Sequence, residues 1–250
     1  MIRHDGKRYV YGAHAIALSG EITNPTSRVL SPSLSVALPV TGGHQHQQAE
    51  GMQMDGIVSS GAASVQVTGG AREDGYTTLA TASVEKLNIL NVVTADRLVA
   101  RLASRYSYEA NEASVYLVGS YFENLRIAGS YVDFRNDDEL MSEAPTFEML
   151  REAARRRRGP SEEWNGTIYT SLVREIHGIP GSRIEGWRVD VPEFGSIYLG
   201  EVFASPQSRR LTMVRVELGC AIEGNFVAGE LAGHWSSVNL AGDNPTRPKG

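Results

Sequence analysis

Two histidines separated by one residue and followed by a glutamate, His44-Gln-His46-Gln-Gln-Ala-Glu50, form the pattern in this chain best suited to metal chemistry. Residues two apart in an extended strand project from one face, so both imidazoles can reach a single divalent ion while Glu50 supplies a carboxylate oxygen. His234, in Gly233-His-Trp235, is the candidate for a third nitrogen. The flanks Thr41-Gly-Gly43 and Gln47-Gln48 are loop-like, so the same tract also reads as a solvated surface loop.

Other chemistries find weaker support. A serine nucleophile needs a strained elbow and a nearby base, and no Gly-x-Ser-x-Gly element occurs, which leaves His14, His177 and His234 as structural or exposed residues. A carboxylate pair for glycoside hydrolysis could be drawn from Glu123, Asp133, Glu201 and Glu217, although Glu217 beside Arg215 also suits a cross-strand ion pair. The glycine pairs Gly42-Gly43 and Gly69-Gly70 lack the Gly-Lys-Ser/Thr ending of phosphate loops and read as turns. Trp164, Trp187 and Trp235 could stack on sugars or pack in the core.

These residues must be positioned by strands. Leu211-Thr-Met-Val-Arg-Val-Glu-Leu218 alternates with Val214, Val216 and Leu218 inward and Arg215 and Glu217 outward. Similar runs occur at 8–22, at Val65 and Val67, at 115–127, at Gly166–Val173 and Gly195–Val202, and at Phe226–Trp235. Residues 24–56 read mostly as loop, and 94–104 fit either a strand or an amphipathic helix, with strand preferred. One helix is expected at 145–158, where Phe147, Leu150 and Ala154 share a face, with Gly159-Pro160 as its stop. Arg155 to Arg158 read as its solvated end. The resulting expectation is a mainly β sandwich or jelly roll, a single domain over 1–238 with a helical insertion at 137–165 and a polar tail at 239–250.

The composition fits a globular protein: 250 residues, 41% hydrophobic, 21% charged, and 26 glycines that favour tight turns. A net charge of -5 argues against nucleic acid, which needs a basic face to replace counterions. The single cysteine, Cys220, has no internal disulfide partner and reads as a small core residue. No uninterrupted run of apolar residues is long enough to span a membrane, and the short run Ala13 to Leu18 does not suit a signal peptide, so a cytoplasmic location is expected. Leu38-Pro-Val-Thr-Gly42 spells a sorting signal without the hydrophobic span and basic tail that should follow it.

The order of Ala82–Asp96, Gly119-Ser-Tyr-Phe-Glu-Asn-Leu-Arg-Ile-Ala-Gly129, Val191-Pro-Glu-Phe-Gly195 and Leu211–Leu218 resembles the choice-of-anchor P type of bacterial β-rich proteins over roughly residues 77–235. The resemblance implies a non-enzymatic, extracellular β module and supplies no catalytic residues. The His-x-His-x3-Glu spacing of residues 44–50, with Gly56 downstream, separately resembles the first metal motif of cupins. The expected role is therefore a structural or binding protein without a cofactor, self-assembling as a homo-oligomer, its ligand unassigned. A cupin-like enzyme holding a divalent metal at His44, His46, Glu50 and His234 comes second, and a carbohydrate-binding or carbohydrate-cleaving jelly roll third.

Overall fold

The computed structural model describes residues 7–30, 34–110, 112–157, 161–219 and 221–239; Cys220, Gly159-Pro160 and the tail beyond Asn239 lie outside it. Strand makes up 65% of the structure and helix 7%, so the fold is mainly β. The longer strands are β1 (Lys7–Asn24), β2 (Gly43–Ala49), β3 (Ala63–Arg72), β4 (Gly75–Ile89), β5 (Val93–Ser107), β6 (Thr167–Ser171), β7 (Arg188–Val191), β8 (Gly195–Ser205), β9 (Ser208–Leu218) and β10 (Glu223–Asn239). The helix α1 spans Phe147–Arg156.

Two ten-stranded antiparallel sheets face each other. In the first, β6, β8, β9, β10 and β1 lie side by side, and β7 shares with β6 the outer edge of β8. In the second, β2, β3, β4 and β5 follow one another, and Ser114–Tyr116, Tyr121–Glu123 and Arg126–Ile127 line the far edge of β5. Inward positions are small or branched and fully buried, as in Val65, Val67, Ala80, Ala82, Val84, Leu98, Ala100 and Leu102 against Leu211, Val214, Val216, Phe226, Ala228 and Leu231. Each buried Val or Leu contributes about 1.5–3 kcal/mol.

In each sheet the inward side switches along a line of opposed residues. In the first sheet Gly200, Met213, Gly229 and Ala17 sit opposite one another across β8, β9, β10 and β1, and the pairing runs on either side of them without a change of register. Gly200 and Gly229 adopt φ of 62° and 65°, a region that favours glycine. At Gly229 a β-carbon would also collide with Leu98 of the facing sheet. The inward side therefore changes parity in all four strands at once: Ile197 and Leu199 give way to Val202 and Ala204, and Phe226 and Ala228 to Leu231. The second sheet repeats the device along Gly61, Lys86, Asp96 and Asn124, where Asn124 Nδ2 donates to Asp96 Oδ2 at 2.6 Å.

The span 94–104 is strand, within β5. The helix forms where its amphipathic pattern places it, with Thr146 Oγ1 accepting from Met149 N at 3.3 Å as its N-cap and Phe147, Leu150, Ala153 and Ala154 buried. Two expectations are corrected. Residues 24–56 contain strands, including β2, because a ladder to β3 holds this tract without any hydrophobic pattern of its own. Arg157 is not solvated: its guanidinium is buried, donating to Thr170 Oγ1 at 2.9 Å and to the carbonyls of Ser171 and Val173 at 2.7 and 2.5 Å, with Asp137 3.6 Å away. Burial lowers its pKa, and Asp137 opposes that shift. Among the described residues no helix is long and apolar enough to cross a membrane.

Candidate functional site

The outer face of the second sheet is a broad polar surface built by cross-strand register. One row runs His44, Thr68, Leu79, Ala103, Tyr116; the next His46, Gln66, Thr81, Arg101; the third Gln48, Ser64, Ser83, Val99, Tyr121. Below these, Glu85, Arg97 and Glu123 form a fourth row. The alternation of β3 and β4 creates this face, because Val65, Val67, Ala80 and Ala82 turn to the core and leave Ser64, Gln66, Thr81 and Ser83 outside. At one corner Gln48, Glu50, Ser64, Ser83, Glu85 and Arg97 line a groove of about 430 Å³. Tyr116 and Tyr121 are exposed on the opposite rim.

The histidine edge of this face is unusual. Every residue of β2 from Gly43 to Gln48 is exposed, including Gln45 and Gln47, which lie opposite the buried Val67 and Val65 and so turn toward the core side. From Gly43 to Gln48 the strand thus has no buried side. His44 Nδ1 lies 3.1 Å from Thr68 Oγ1, and His46 stands beside it on the same face.

The first sheet carries a very different outer face. Glu201, only 1% exposed, receives Arg215 Nε and Nη2 side-on, each at 2.7 Å, and also accepts from the Tyr169 hydroxyl. Arg215 reaches Glu217 with its remaining nitrogen and lies 3.6 Å above the Tyr198 ring, whose hydroxyl donates to Glu217 at 3.1 Å. Phe203 stacks on Tyr169 at 4.4 Å between ring centres, and the Trp187 Nε1–H donates to the Tyr169 hydroxyl at 3.3 Å. Burial, and then the bond to Glu201, push the Tyr169 phenol up to about 12. Burial would lower the Arg215 pKa, but the Glu201 and Glu217 carboxylates raise it overall. Glu201 and Glu217, weighed as a hydrolytic pair, are both tied to one guanidinium, Glu201 from the neighbouring strand and Glu217 from Arg215's own strand rather than across the ladder.

A domain of unknown function, DUF8256, matches the chain over residues 9–162 and 149–205. The chain belongs to the DUF8256 family. No curated protein and no solved structure matches it. The matched segments of this DUF8256 chain run from β1 to the end of β8 and include the whole polar face.

The residues considered for a metal are divided between the sheets. His44 and His46 are neighbours on β2 and Glu50 lines the groove past its end, whereas His234 projects from the outer face of the first sheet, between Gly12 and Ser208. Among the described residues no group of three or more His, Cys, Asp or Glu could hold a metal ion. Of the three tryptophans, Trp187 and Trp235 are buried and Trp164 is 75% exposed. Sequence reasoning missed Tyr116, Tyr121, Arg97 and Arg101 as parts of one surface, because alternation gives the side of a sheet but not the row.

Proposed function

We propose that this protein is a non-enzymatic binding module whose recognition surface is the outer face of the second sheet and whose ligand is a polyhydroxylated polymer, a glycan. The reading rests on the register that aligns Gln48, Ser64 and Ser83 with the Glu50, Glu85 and Arg97 groove and with the exposed rings of Tyr116 and Tyr121. Adjacent strands lie about 4.8 Å apart, so hydroxyls and amides recur across the face at the scale of one sugar ring. Amides and hydroxyls both donate and accept, which suits sugar hydroxyls, a guanidinium offers a planar fork of donors, and tyrosine rings stack on the apolar faces of sugars.

Glycan-array screening of the purified protein, followed by calorimetry, tests this reading. A polysaccharide ligand should emerge whose affinity falls roughly tenfold or more, about 1.4 kcal/mol, in Arg97→Ala and in Tyr121→Ala, with unchanged circular dichroism. No glycan binding, or binding indifferent to both substitutions, would reject it.

A further inference from the structure

We propose that β2 is a self-pairing edge at which a second copy of this chain docks, antiparallel, about a twofold axis through His46. Among the described residues β2 pairs with β3 alone, and its register to β3 is unbroken from Gly43–Gly69 to Ala49–Ala63. Its other edge presents a row of backbone donors and acceptors, and its residues from Gly43 to Gln48 are exposed. Protein edges are commonly protected by lysine, proline, a bulge or an inward charge. None of these stands between Thr41 and Ala49.

The occupant follows from the strand's own pattern. In Gly43-His-Gln-His-Gln-Gln-Ala49 the two residues that flank His46, Gln45 and Gln47, are identical, and no residue is acidic or a lysine. Antiparallel pairing centred there sets Gln45 against Gln47 of the copy, His44 against Gln48, and Gly43 against Ala49. Glutamine amides can then bond across the axis, since each carries both donors and an acceptor. Glu50 falls opposite Gly42, so no carboxylate meets its own copy. A perpendicular twofold keeps both polar faces on one side, and the two ten-stranded sheets become continuous. The inference goes beyond the glycan reading, and stands without it.

Sedimentation equilibrium of the whole protein tests the contact, and cysteine cross-linking tests its register. Directly opposed residues have α-carbons about 4.5–5.5 Å apart, within disulfide range. In a chain carrying Cys220→Ser, His46→Cys should form a covalent dimer on mild oxidation, whereas Gln48→Cys, roughly four residues out of register with its copy, should not. Gln45→Lys with Gln47→Lys sets like charges against each other and should weaken the dimer at least roughly tenfold, with unchanged circular dichroism. A monomer at every concentration, equal cross-linking at both positions, or a dimer untouched by the lysines would overturn the proposal. Capture of a foreign strand by a protein that stays monomeric would do the same. A wild-type protein that is monomeric yet binds glycan rejects only this inference, and one that dimerises yet binds no glycan rejects only the glycan reading.

Discussion

The outer faces of the two sheets are made by the same alternation and end in opposite conditions. On the first, Tyr169, Tyr198, Phe203, Arg215, Glu201 and Glu217 bond and stack on one another, so that their polar atoms are satisfied within the protein. On the second, among the described residues, Gln66, Thr81, Ser83, Arg97 and Arg101 share rows without bonding to one another through their side chains, and their polar atoms face water or a ligand. Side chains that pair across the ladder satisfy one another, whereas those left unpaired keep their hydrogen-bonding capacity for something external. Cross-strand pairing of side chains thus separates a face that strengthens the fold from one whose polar atoms are open to solvent.

The largest test of this contrast is Glu201→Ala. Removing the buried carboxylate leaves Arg215 without its side-on partner, and urea unfolding should show a loss of about 3–5 kcal/mol. A loss under about 1 kcal/mol would mean that the first face is not locked. A smaller effect is expected at high pH. The phenols of Tyr169 and Tyr11 are both raised, to about 12, by burial first. The unfolded chain gives up these protons near pH 10, so the stability they contribute is complete below that and declines as pH rises through 12. Burial also raises the phenols of Tyr9, Tyr76 and Tyr198, so phenolate absorbance should show a group of late-titrating tyrosines, and Tyr169→Phe should remove one of them. The smallest effect belongs to the second face, where Gln66→Ala should change stability by no more than about 0.5 kcal/mol in the same urea experiment. A larger change would show that this surface also serves the fold.

Much of the architecture is legible in the sequence wherever a strand has one buried side. Val214, Val216 and Leu218 are buried and Arg215 and Glu217 lie on the other face, as their alternation requires. Phe147, Leu150 and Ala154 likewise mark the buried face of α1. The pattern fails where that condition fails. β2 has no buried side from Gly43 to Gln48, and so leaves no hydrophobic trace there. Arg157 resembles its solvated neighbours Arg155 and Arg156, and only the carbonyls of Ser171 and Val173, distant in sequence, distinguish it. The polar face was illegible for a related reason. His46, Gln66, Thr81 and Arg101 come from four separate strands, and nothing local announces that they will share a row.

The line through Gly200, Met213, Gly229 and Ala17 has a consequence for how such a chain can change over generations. Deleting one residue from a single strand near that line would turn half of the strand inside out while its neighbours kept their orientation. The switch must accordingly be inherited or abandoned by four strands together, which makes strand length in this part of the molecule far less free to drift than the identity of any one side chain.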